Sequence, residues 1–377
     1  MALAIDVGGT KLAAGLVTPG GELVARAAAA TPRTEDPERL FGVLAAVAAS
    51  VGGDGDIVVC GVGSGGPMSS GGEEVSPLNI PGWRGFPLRR RLAETLGLPV
   101  YVDNDAKALA LAEGWRGAAA EVADFLAMVV STGVGGGVVL DGRLLDGAAG
   151  NAGHIGHVVV EPDGRACRCG GRGCLEAEVS GPAIAAITGR PAAEAGPAVV
   201  ERTGRLVGRA VASVANLLDL RLAVVGGSVA LGFGEPFFTA AQRELSARAR
   251  LDFSREARIV PAGLGADGPL VGAGAVGWRG LGRFGGSGGW GGPGGPGGPP
   301  GGARPPGVPP GLAPPGVAPS GPRPPAGPGA PPAIAPPGGR GDIAPPATAP
   351  PDVAPPGPRP PGGPGAPPGV APPGPHG

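Results

Sequence analysis

The sequence is poor in several residue types, and their scarcity limits the classes of function that the protein can have. Its 377 residues include only 3% aromatic and 16% charged side chains, four cysteines and three histidines. No apolar run approaches the roughly 18 to 20 residues that a membrane-spanning helix needs. The formal net charge is −1 and no block of basic residues occurs, unlike in proteins that bind nucleic acid. We therefore expect neither a membrane nor a nucleic acid among its partners.

The N-terminal residues and the cysteines indicate the compartment. The opening string Met-Ala-Leu-Ala-Ile-Asp lacks the basic start and cleavable apolar stretch of a secretory signal, so we expect a cytoplasmic protein. Cys167, Cys169 and Cys174 fall within eight residues, and Cys60 lies far upstream. Three clustered cysteines and one distant cysteine suit a metal site better than a disulfide framework.

Proline divides the chain into two parts, because 34 of its 49 prolines lie in residues 284–377. This Gly/Pro-rich tail contains a 20-residue repeat and has too few apolar side chains for a core, so it is predicted to be disordered. It suits a spacer, a ligand for SH3-like domains, or translation past the natural end of a reading frame. Residues 1–283 are long enough for two lobes at about 150 residues each.

A strand, a glycine turn and a second strand open the chain, and the pattern returns near its middle. The first turn follows Asp6, and the second spans residues 131–137. Strands and helices alternate elsewhere, which predicts an α/β fold. Either turn alone suits a tight hairpin. Two such turns on matched lobes can hold the phosphates of a nucleotide from opposite sides through their backbone N–H groups.

Two further groups of residues carry candidate chemistry. Asp103, Asn104 and Asp105 end a predicted strand and open a helix, where ligands of open α/β sheets bind. Such residues also cap helices, but two acids and an amide exceed the needs of one cap. His157 and the three clustered cysteines form a tetrahedral ligand set that leaves no position for a catalytic water, which predicts structural zinc. Cys60 is expected to be a buried apolar side chain.

In combination these motifs resemble the ROK (repressor, open reading frame, kinase) sugar kinases over essentially all of residues 1–283. The matching pieces are Asp6-Val7-Gly8-Gly9-Thr10-Lys11, Asn79-Ile80-Pro81-Gly82-Trp83, Asp103-Asn104-Asp105, Ser131-Thr132-Gly133-Val134-Gly135-Gly136-Gly137, the histidine and cysteine residues of the zinc signature, and Val225-Gly226-Gly227-Ser228. The resemblance implies a two-lobed, actin/hexokinase-like (ribonuclease H-like) ATPase fold with an interlobe cleft. We place a small lobe at 1–116, a large lobe at 117–283 and the tail at 284–377.

The resemblance also implies an ATP-dependent sugar kinase and roles for individual residues. Asp105 would be the catalytic base that accepts the proton of the sugar 6-hydroxyl. ATP with Mg²⁺ would bind at Asp6, Gly8, Gly9, Thr10, Lys11, Thr132, Gly133, Gly226 and Gly227. The sugar would contact Gly66, Asn79, Asn104, Asp105, His154, His157 and Glu176. Structural Zn²⁺ would be held by His157, Cys167, Cys169 and Cys174. Members of the family commonly form dimers or tetramers, so a homo-oligomer is expected.

His154 departs from the commonest pattern of the family. Many of its glucokinases carry glutamate there, whereas the string Gly-His-Ile-Gly-His is similar to bacterial N-acetylmannosamine kinases. Imidazole can donate or accept a hydrogen bond, so glucose and N-acetylmannosamine both remain candidate substrates. The alternative function is a non-catalytic sugar sensor or transcriptional regulator. Regulators of the family carry an added N-terminal DNA-binding module, and because the phosphate turn begins at Asp6 we expect no such module here.

Overall fold

The computed structural model describes residues 1–52 and 56–283, all within one compact unit. The predicted disordered tail, 284–377, lies outside the described residues. The strands are β1 (Ala2–Val7), β2 (Lys11–Val17), β3 (Leu23–Ala30), β4 (Val59–Ser64), β5 (Val100–Asn104), β6 (Phe125–Val130), β7 (Val134–Leu140), β8 (Arg143–Leu144), β9 (Leu222–Gly226) and β10 (Arg258–Pro261). The α-helices are α1 (Pro37–Ser50), α2 (Leu88–Leu96), α3 (Asp105–Arg116), α4 (Leu175–Val179), α5 (Gly181–Thr188), α6 (Pro197–Leu218), α7 (Ser228–Phe233), α8 (Glu235–Arg248) and α9 (Gly268–Gly280).

Two five-stranded sheets share one topology. The first has the order β3-β2-β1-β4-β5 and the second the order β8-β7-β6-β9-β10. In each sheet the first three strands along the chain are antiparallel neighbours, and the last two add in parallel. The repeated strand, turn and strand of the sequence therefore begins two equivalent sheets, and the predicted α/β architecture with two lobes is confirmed.

The alternation of large and small residues along β1 determines what covers each face of the first sheet. Leu3 and Ile5 point into a core shared with α1, whereas Ala4 contacts a second core that contains Leu270 and Ala273 of α9. Small side chains on the second face let a helix approach the strands closely. Asp6 lies on this same face, because successive residues of a strand point to opposite sides.

Helices α3 and α9 connect the two sheets by packing across chain order. Helix α3 follows the first sheet but packs on the second, where a Cβ on Gly137 would lie 2.7 Å from that of Ala110. Helix α9 ends the described chain but packs on the first sheet and against α3, with Gly272 close to the backbone of Ala108. The division into lobes 1–116 and 117–283 remains a prediction. In the structure α9, which follows residue 117 in the chain, returns to pack on the first sheet.

Among residues 1–52 and 56–283, no helix has both the length and the apolar character required to cross a bilayer.

The contact between α9 and β4 generates a stability prediction. A Cβ on Gly61 would lie 1.9 Å from the carbonyl oxygen of Ala273 and 2.4 Å from the backbone nitrogen of Gly277. We expect Gly61→Ala to lower the free energy of unfolding by about 3 kcal/mol, since overpacking forces the backbones apart. Gly42→Ala, within α1 and with no atom within 4 Å of its added Cβ, should raise it by about 0.5 to 1 kcal/mol. Urea unfolding curves measure both. Equal effects of the two substitutions would contradict the close approach of α9.

Candidate active site

The first glycine turn joins β1 to β2 and is held by its own backbone. The Gly8 N–H donates to the carbonyl of Lys11 at 3.0 Å, and the Thr31 N–H donates to the carbonyl of Thr10 at 3.1 Å. The Thr31 hydroxyl also donates to the carbonyl of Gly8 at 2.7 Å. These bonds fix residues 8–10 in a tight turn at the end of the first sheet.

Asn79 and Glu176 bring the two glycine turns together. A Cβ on Gly9 would lie 2.8 Å from that of Asn79, so only glycine allows this loop to approach. A Cβ on Gly133, in the second turn, would lie 3.6 Å from Asn79 Nδ2 and 3.0 Å from Glu176 Oε2. The Val134 N–H donates to the same Glu176 oxygen at 2.8 Å. Both turns and two predicted sugar-binding side chains therefore lie at one place.

Gly66, Asn104 and His154 form the neighbouring part of the site. A Cβ on Gly66 would lie 3.3 Å from His154 Nε2 and 3.4 Å from Asn104 Nδ2. His154 Nδ1 is 2.9 Å from the carbonyl of Asn151, to which it donates as an N–H. In the neutral ring Nε2 then carries the lone pair and accepts hydrogen bonds. The His157 ring stacks on that of His154 with the ring centres 6.2 Å apart.

Asp105 is the first residue of α3. The Asn104 side chain caps this helix by accepting from the Ala106 N–H at 3.0 Å, and Asp105 Oδ1 accepts from the same N–H at 2.8 Å. Burial raises the pKa of Asp105; the Ala106 N–H and the His154 side chain oppose this shift, and Glu176 adds to it. A carboxylate with a raised pKa accepts a proton more readily near neutral pH.

Asp6 is electrostatically coupled to Asp105. The pKa of Asp6 is raised to about 7, mainly by burial and also by the charge of Asp105, while Lys11 opposes the shift. Two carboxylates in a desolvated place repel each other unless a cation or a proton is shared between them. The pair therefore suits a site that receives a divalent cation.

A cavity of about 700 Å³ opens beside the second glycine turn. The hydroxyl oxygens of Ser131 in the turn and Ser228 at the start of α7 are 2.9 Å apart. Gly227 has φ +96°, and its Cβ would lie 2.4 Å from the carbonyl oxygen of Val130. Gly226 and Gly227 adjoin the lining rather than form it. Pockets for small ligands and cofactors span about 300 to 1,000 Å³, so this one is of a size for a nucleoside. The lining residues are Ser131, Thr132, Gly181, Pro182, Ala185, Gly189, Arg190, Pro191, Ala192, Ala193, Ser228, Val229, Gly232 and Phe233.

His157 and the three clustered cysteines converge as the sequence predicts. All four ligand atoms lie within 4.8 Å of one another. His157 Nδ1 is 3.7 Å from Cys167 Sγ, and Cys169 Sγ is 3.7 Å from Cys174 Sγ. Two thiolates on one tetrahedral zinc ion, each with a bond of about 2.3 Å, stand about 3.8 Å apart. The four groups therefore fit a tetrahedral metal ion.

The cysteine loop is joined directly to the helix that carries Glu176. Cys174 immediately precedes α4, and Glu176 lies in its first turn. Glu178 on the same helix accepts from the Arg165 N–H of the loop at 2.6 Å and pairs with Arg202 of α6 at 2.5 Å. A metal ion in the loop would thereby stabilise the position of Glu176.

Sequence reasoning missed the cavity-lining residues of α5 and the loop after it. Arg190 and Phe233 stand 43 residues apart in the sequence and line the same cavity, because α5 and α7 both pack against the turn at Ala192–Glu194. One residue of the sequence motifs does point to this cavity, because Ser228, which lines it, belongs to the glycine motif after β9. Asn151 was also missed, although it directly supports His154.

The coupled carboxylates generate a pH prediction. With a folded-state pKa of about 7 against 3.8 ordinarily, Asp6 holds its proton longer in the folded chain. Stability from this group is therefore full below pH 4 and is lost as pH rises to about 7. We expect Asp6→Asn, neutral throughout, to match the wild type near pH 4 and to exceed it by about 4 kcal/mol at pH 8. Urea unfolding without Mg²⁺ or nucleotide measures the difference. A difference that does not change with pH contradicts this environment of Asp6.

The comparisons with known proteins agree with this geometry. A model of the ROK family matches residues 2–277. An N-acetylmannosamine kinase from Escherichia fergusonii is 38% identical over 248 residues, which are 62% of this chain and 84% of that protein.

Two solved structures are similar in fold and sequence. A ROK family glucokinase from Streptomyces griseus in complex with glucose and AMPPNP has a TM-score of 0.66 and 29% identity, covering 74% of this chain and 99% of that chain. A ROK hexokinase from Thermus thermophilus has a TM-score of 0.63 and 35% identity, with the same coverage of 74% and 99%. These matches confirm the resemblance carried by the sequence motifs, and the chain belongs to the ROK family.

Proposed function

We propose that the protein transfers the γ-phosphoryl group of ATP to the 6-hydroxyl of N-acetylmannosamine, with glucose as the second candidate substrate. The observation that carries the proposal is the meeting of both glycine turns with Asn79, Glu176 and the helix-opening Asp105, beside a cavity of nucleoside size. The relatives that are named as sugar kinases support the same class of reaction.

In this proposal ATP spans the two glycine turns. Its adenosine occupies the cavity beside Thr132, and Gly226 and Gly227 shape the nearby chain. Its phosphates accept from the backbone N–H groups of residues 9–10 and 132–133, with Lys11 offering a positive charge, while the Gly8 N–H closes the first turn on the carbonyl of Lys11. Mg²⁺ bound with the nucleotide would neutralise phosphate charge. Asp6 would supply a nearby carboxylate for that ion, which leaves Asp105 free to accept a proton.

The sugar lies on the other side of the turns. Asn79, Asn104 and Glu176 offer amide and carboxylate groups for its hydroxyls, and the absence of a side chain at Gly66 makes room for it beside His154. His157 faces the same region through its stacking on His154. Because the amide groups donate and the carboxylate and His154 Nε2 accept, the site can satisfy several hydroxyls at once.

Asp105 carries the chemistry. It accepts the proton of the 6-hydroxyl while the oxygen forms a bond to the γ-phosphorus, and the bond from that phosphorus to the bridging oxygen of ADP breaks. The transition state of such transfers is loose, so positioning and charge neutralisation contribute most of the rate. The raised pKa of Asp105 suits proton acceptance near neutral pH.

His154 supports N-acetylmannosamine as the first candidate. Its Nδ1 is engaged by Asn151, so Nε2 presents one uncharged acceptor toward the sugar. The acetamido N–H is a donor that such an acceptor matches. The 38% identity to an N-acetylmannosamine kinase points the same way, whereas the glucose-bound glucokinase at 29% identity favours glucose.

We also propose that the His157 and cysteine cluster holds one structural zinc ion. Four protein ligands leave no coordination position for substrate or water. The ion would stabilise the loop that leads into α4 and thereby the carboxylate of Glu176. Cytoplasmic location, a dimer or tetramer, and the lack of a nucleic-acid partner remain predictions.

The test of the reaction is ATP-dependent release of ADP by the full chain with N-acetylmannosamine, glucose, N-acetylglucosamine, mannose and fructose. We expect turnover on N-acetylmannosamine first. Asp105→Asn should lower kcat by about 100-fold or more, because a general base is lost, and should change sugar affinity little. Asp252→Asn removes a carboxylate that is 94% exposed and serves as the matched control.

The outcomes separate the candidates. Near wild-type turnover in Asp105→Asn removes that residue from the role of base. A preference for glucose replaces the first substrate with the second. Sugar binding by calorimetry without turnover on any sugar overturns the kinase and moves the protein to a sugar sensor.

The zinc proposal predicts metal content. We expect about one zinc per chain in the wild type and in Cys60→Ala, and almost none in Cys169→Ser, because a structural site needs all four ligands. Elemental analysis of the purified proteins measures this. Cys169→Ser should also unfold at a lower temperature. Folded wild-type protein that carries no zinc contradicts the proposal.

A further inference from the structure

A cluster of two cations and two carboxylates, with Lys107 and Asp103 buried and Asp146 and Arg279 partly exposed, lies beside the site and has no part in the proposed reaction. It consists of Lys107 on α3, Asp103 at the end of β5, Asp146 after β8, and Arg279 on α9. The Lys107 side chain is only 2% exposed. A buried ammonium costs several kcal/mol unless it is paired, so its contacts require an explanation.

Each hydrogen of the Lys107 ammonium has a separate partner. Nζ is 2.9 Å from Asp103 Oδ1, 2.8 Å from Asp146 Oδ1 and 3.1 Å from the carbonyl oxygen of Gly150. Arg279 closes the cluster, at 2.9 Å from Asp146 Oδ2 and 3.6 Å from Asp103 Oδ2. An apolar side chain of equal volume would fill this space without holding any of these groups.

On one side the cluster reaches the strand end that carries the proposed base. Asp103 Oδ1, which receives Lys107, also accepts from the Asn104 N–H at 2.8 Å. This bond orients the peptide immediately before Asn104, whose side chain in turn caps the helix that begins at Asp105. Lys107 lies in the first turn of that helix. The cluster therefore restrains both the end of β5 and the start of α3.

On the other side the cluster reaches the 146–154 loop, which ends at His154. Asp146 and Gly150 are its direct contacts with Lys107. Asn151 follows at once, donates through Nδ2 to the carbonyl of Met68 at 3.1 Å, and accepts from His154 Nδ1 at 2.9 Å. The ammonium therefore connects the loop of the second lobe to the helix start of the first.

We propose that Lys107 is a positioning residue for the transfer: its ammonium holds the 146–154 loop, and with it His154, in place relative to Asp105. The inference rests on the proposed function, because it assigns the loop to the sugar-binding side of the same site. Lys107 does not touch the reacting atoms. Its effect reaches the sugar through His154, so it should influence sugar use more than nucleotide use.

The first test is amide hydrogen exchange of the full chain without sugar or ATP. In Lys107→Met the 146–154 loop should exchange about tenfold faster than in the wild type, because its tether is lost. The Ala152 N–H reports on the loop, since it donates to the carbonyl of Asp146 at 3.0 Å. Arg243→Met removes an exposed ion pair with Glu201 and should leave exchange in the loop unchanged.

The second test separates the two substrates. Lys107→Met should lower kcat/KM for the sugar by about 100-fold, as small misplacements at a reacting centre do, while KM for ATP stays within about twofold. Asp146→Asn keeps the shape of a half-exposed side chain but turns a donor toward Arg279. It should therefore lower kcat/KM for the sugar by a smaller factor, again with little change in KM for ATP. If Lys107→Met does not fold, Asp146→Asn provides the test. The double variant should lose less than the sum of the two single losses, because the two residues share the Lys107–Asp146 contact.

The results distinguish this inference from the proposed function. The positioning role is overturned if Asp146→Asn and Arg243→Met show the same exchange in the loop and the same KM for the sugar. An equal loss for sugar and ATP, accompanied by lower stability, would also overturn it and leave a purely structural ion cluster. If the loop exchanges faster in Lys107→Met but the wild-type protein turns over no sugar, the proposed kinase activity is overturned. The contact of Lys107 with the loop would still be supported.

Discussion

The direct contact between the backbones of α9 and β4 is the constraint on which the rest of the structure depends. Because Gly61 and Gly277 carry no side chains, α9 lies against the central strands of the first sheet. The same helix packs on α3, which covers the second sheet. Two equivalent sheets are thereby joined through a pair of helices. The end of β1 that bears Asp6 and the start of α3 at Asp105 are brought to the second glycine turn.

Polar contacts order the segment between β8 and α4 at both ends, and Ile155 and Val160 bury it in the core of the second sheet. At its start Asp146 is bound by Lys107 and Arg279, and at its end the ligand set of His157 and the cysteines precedes Glu176. His154 lies between these two anchors, with its imidazole oriented by a backbone carbonyl. Long irregular segments are ordinarily the most mobile parts of a protein. Here the proposed sugar-binding groups are supported at both ends.

Local patterns were sufficient to predict much of the fold and the candidate site. The repeated strand, turn and strand indicated two lobes, and the helix-opening position of Asp105 and the convergence of the cysteines with His157 followed from spacing alone. Contacts between distant segments could not be predicted in this way. The alanines of β1 do not reveal that α9 covers them, and no periodicity links Lys107 to Asp146 or Arg190 to Phe233. The roles of the site residues remain predictions.

The return of α9 to the first sheet has a consequence for biosynthesis. A chain emerging from the ribosome makes β1 and β4 first, but the helix that covers their small-residue face is among the last of the described elements to be made. Domains generally fold as units during synthesis, and pairing of segments so distant in the chain is slow. The first sheet therefore stays uncovered on one side through most of translation. Its small, largely alanine and glycine surface on that side exposes less apolar area to aggregation during that interval than leucines or isoleucines would.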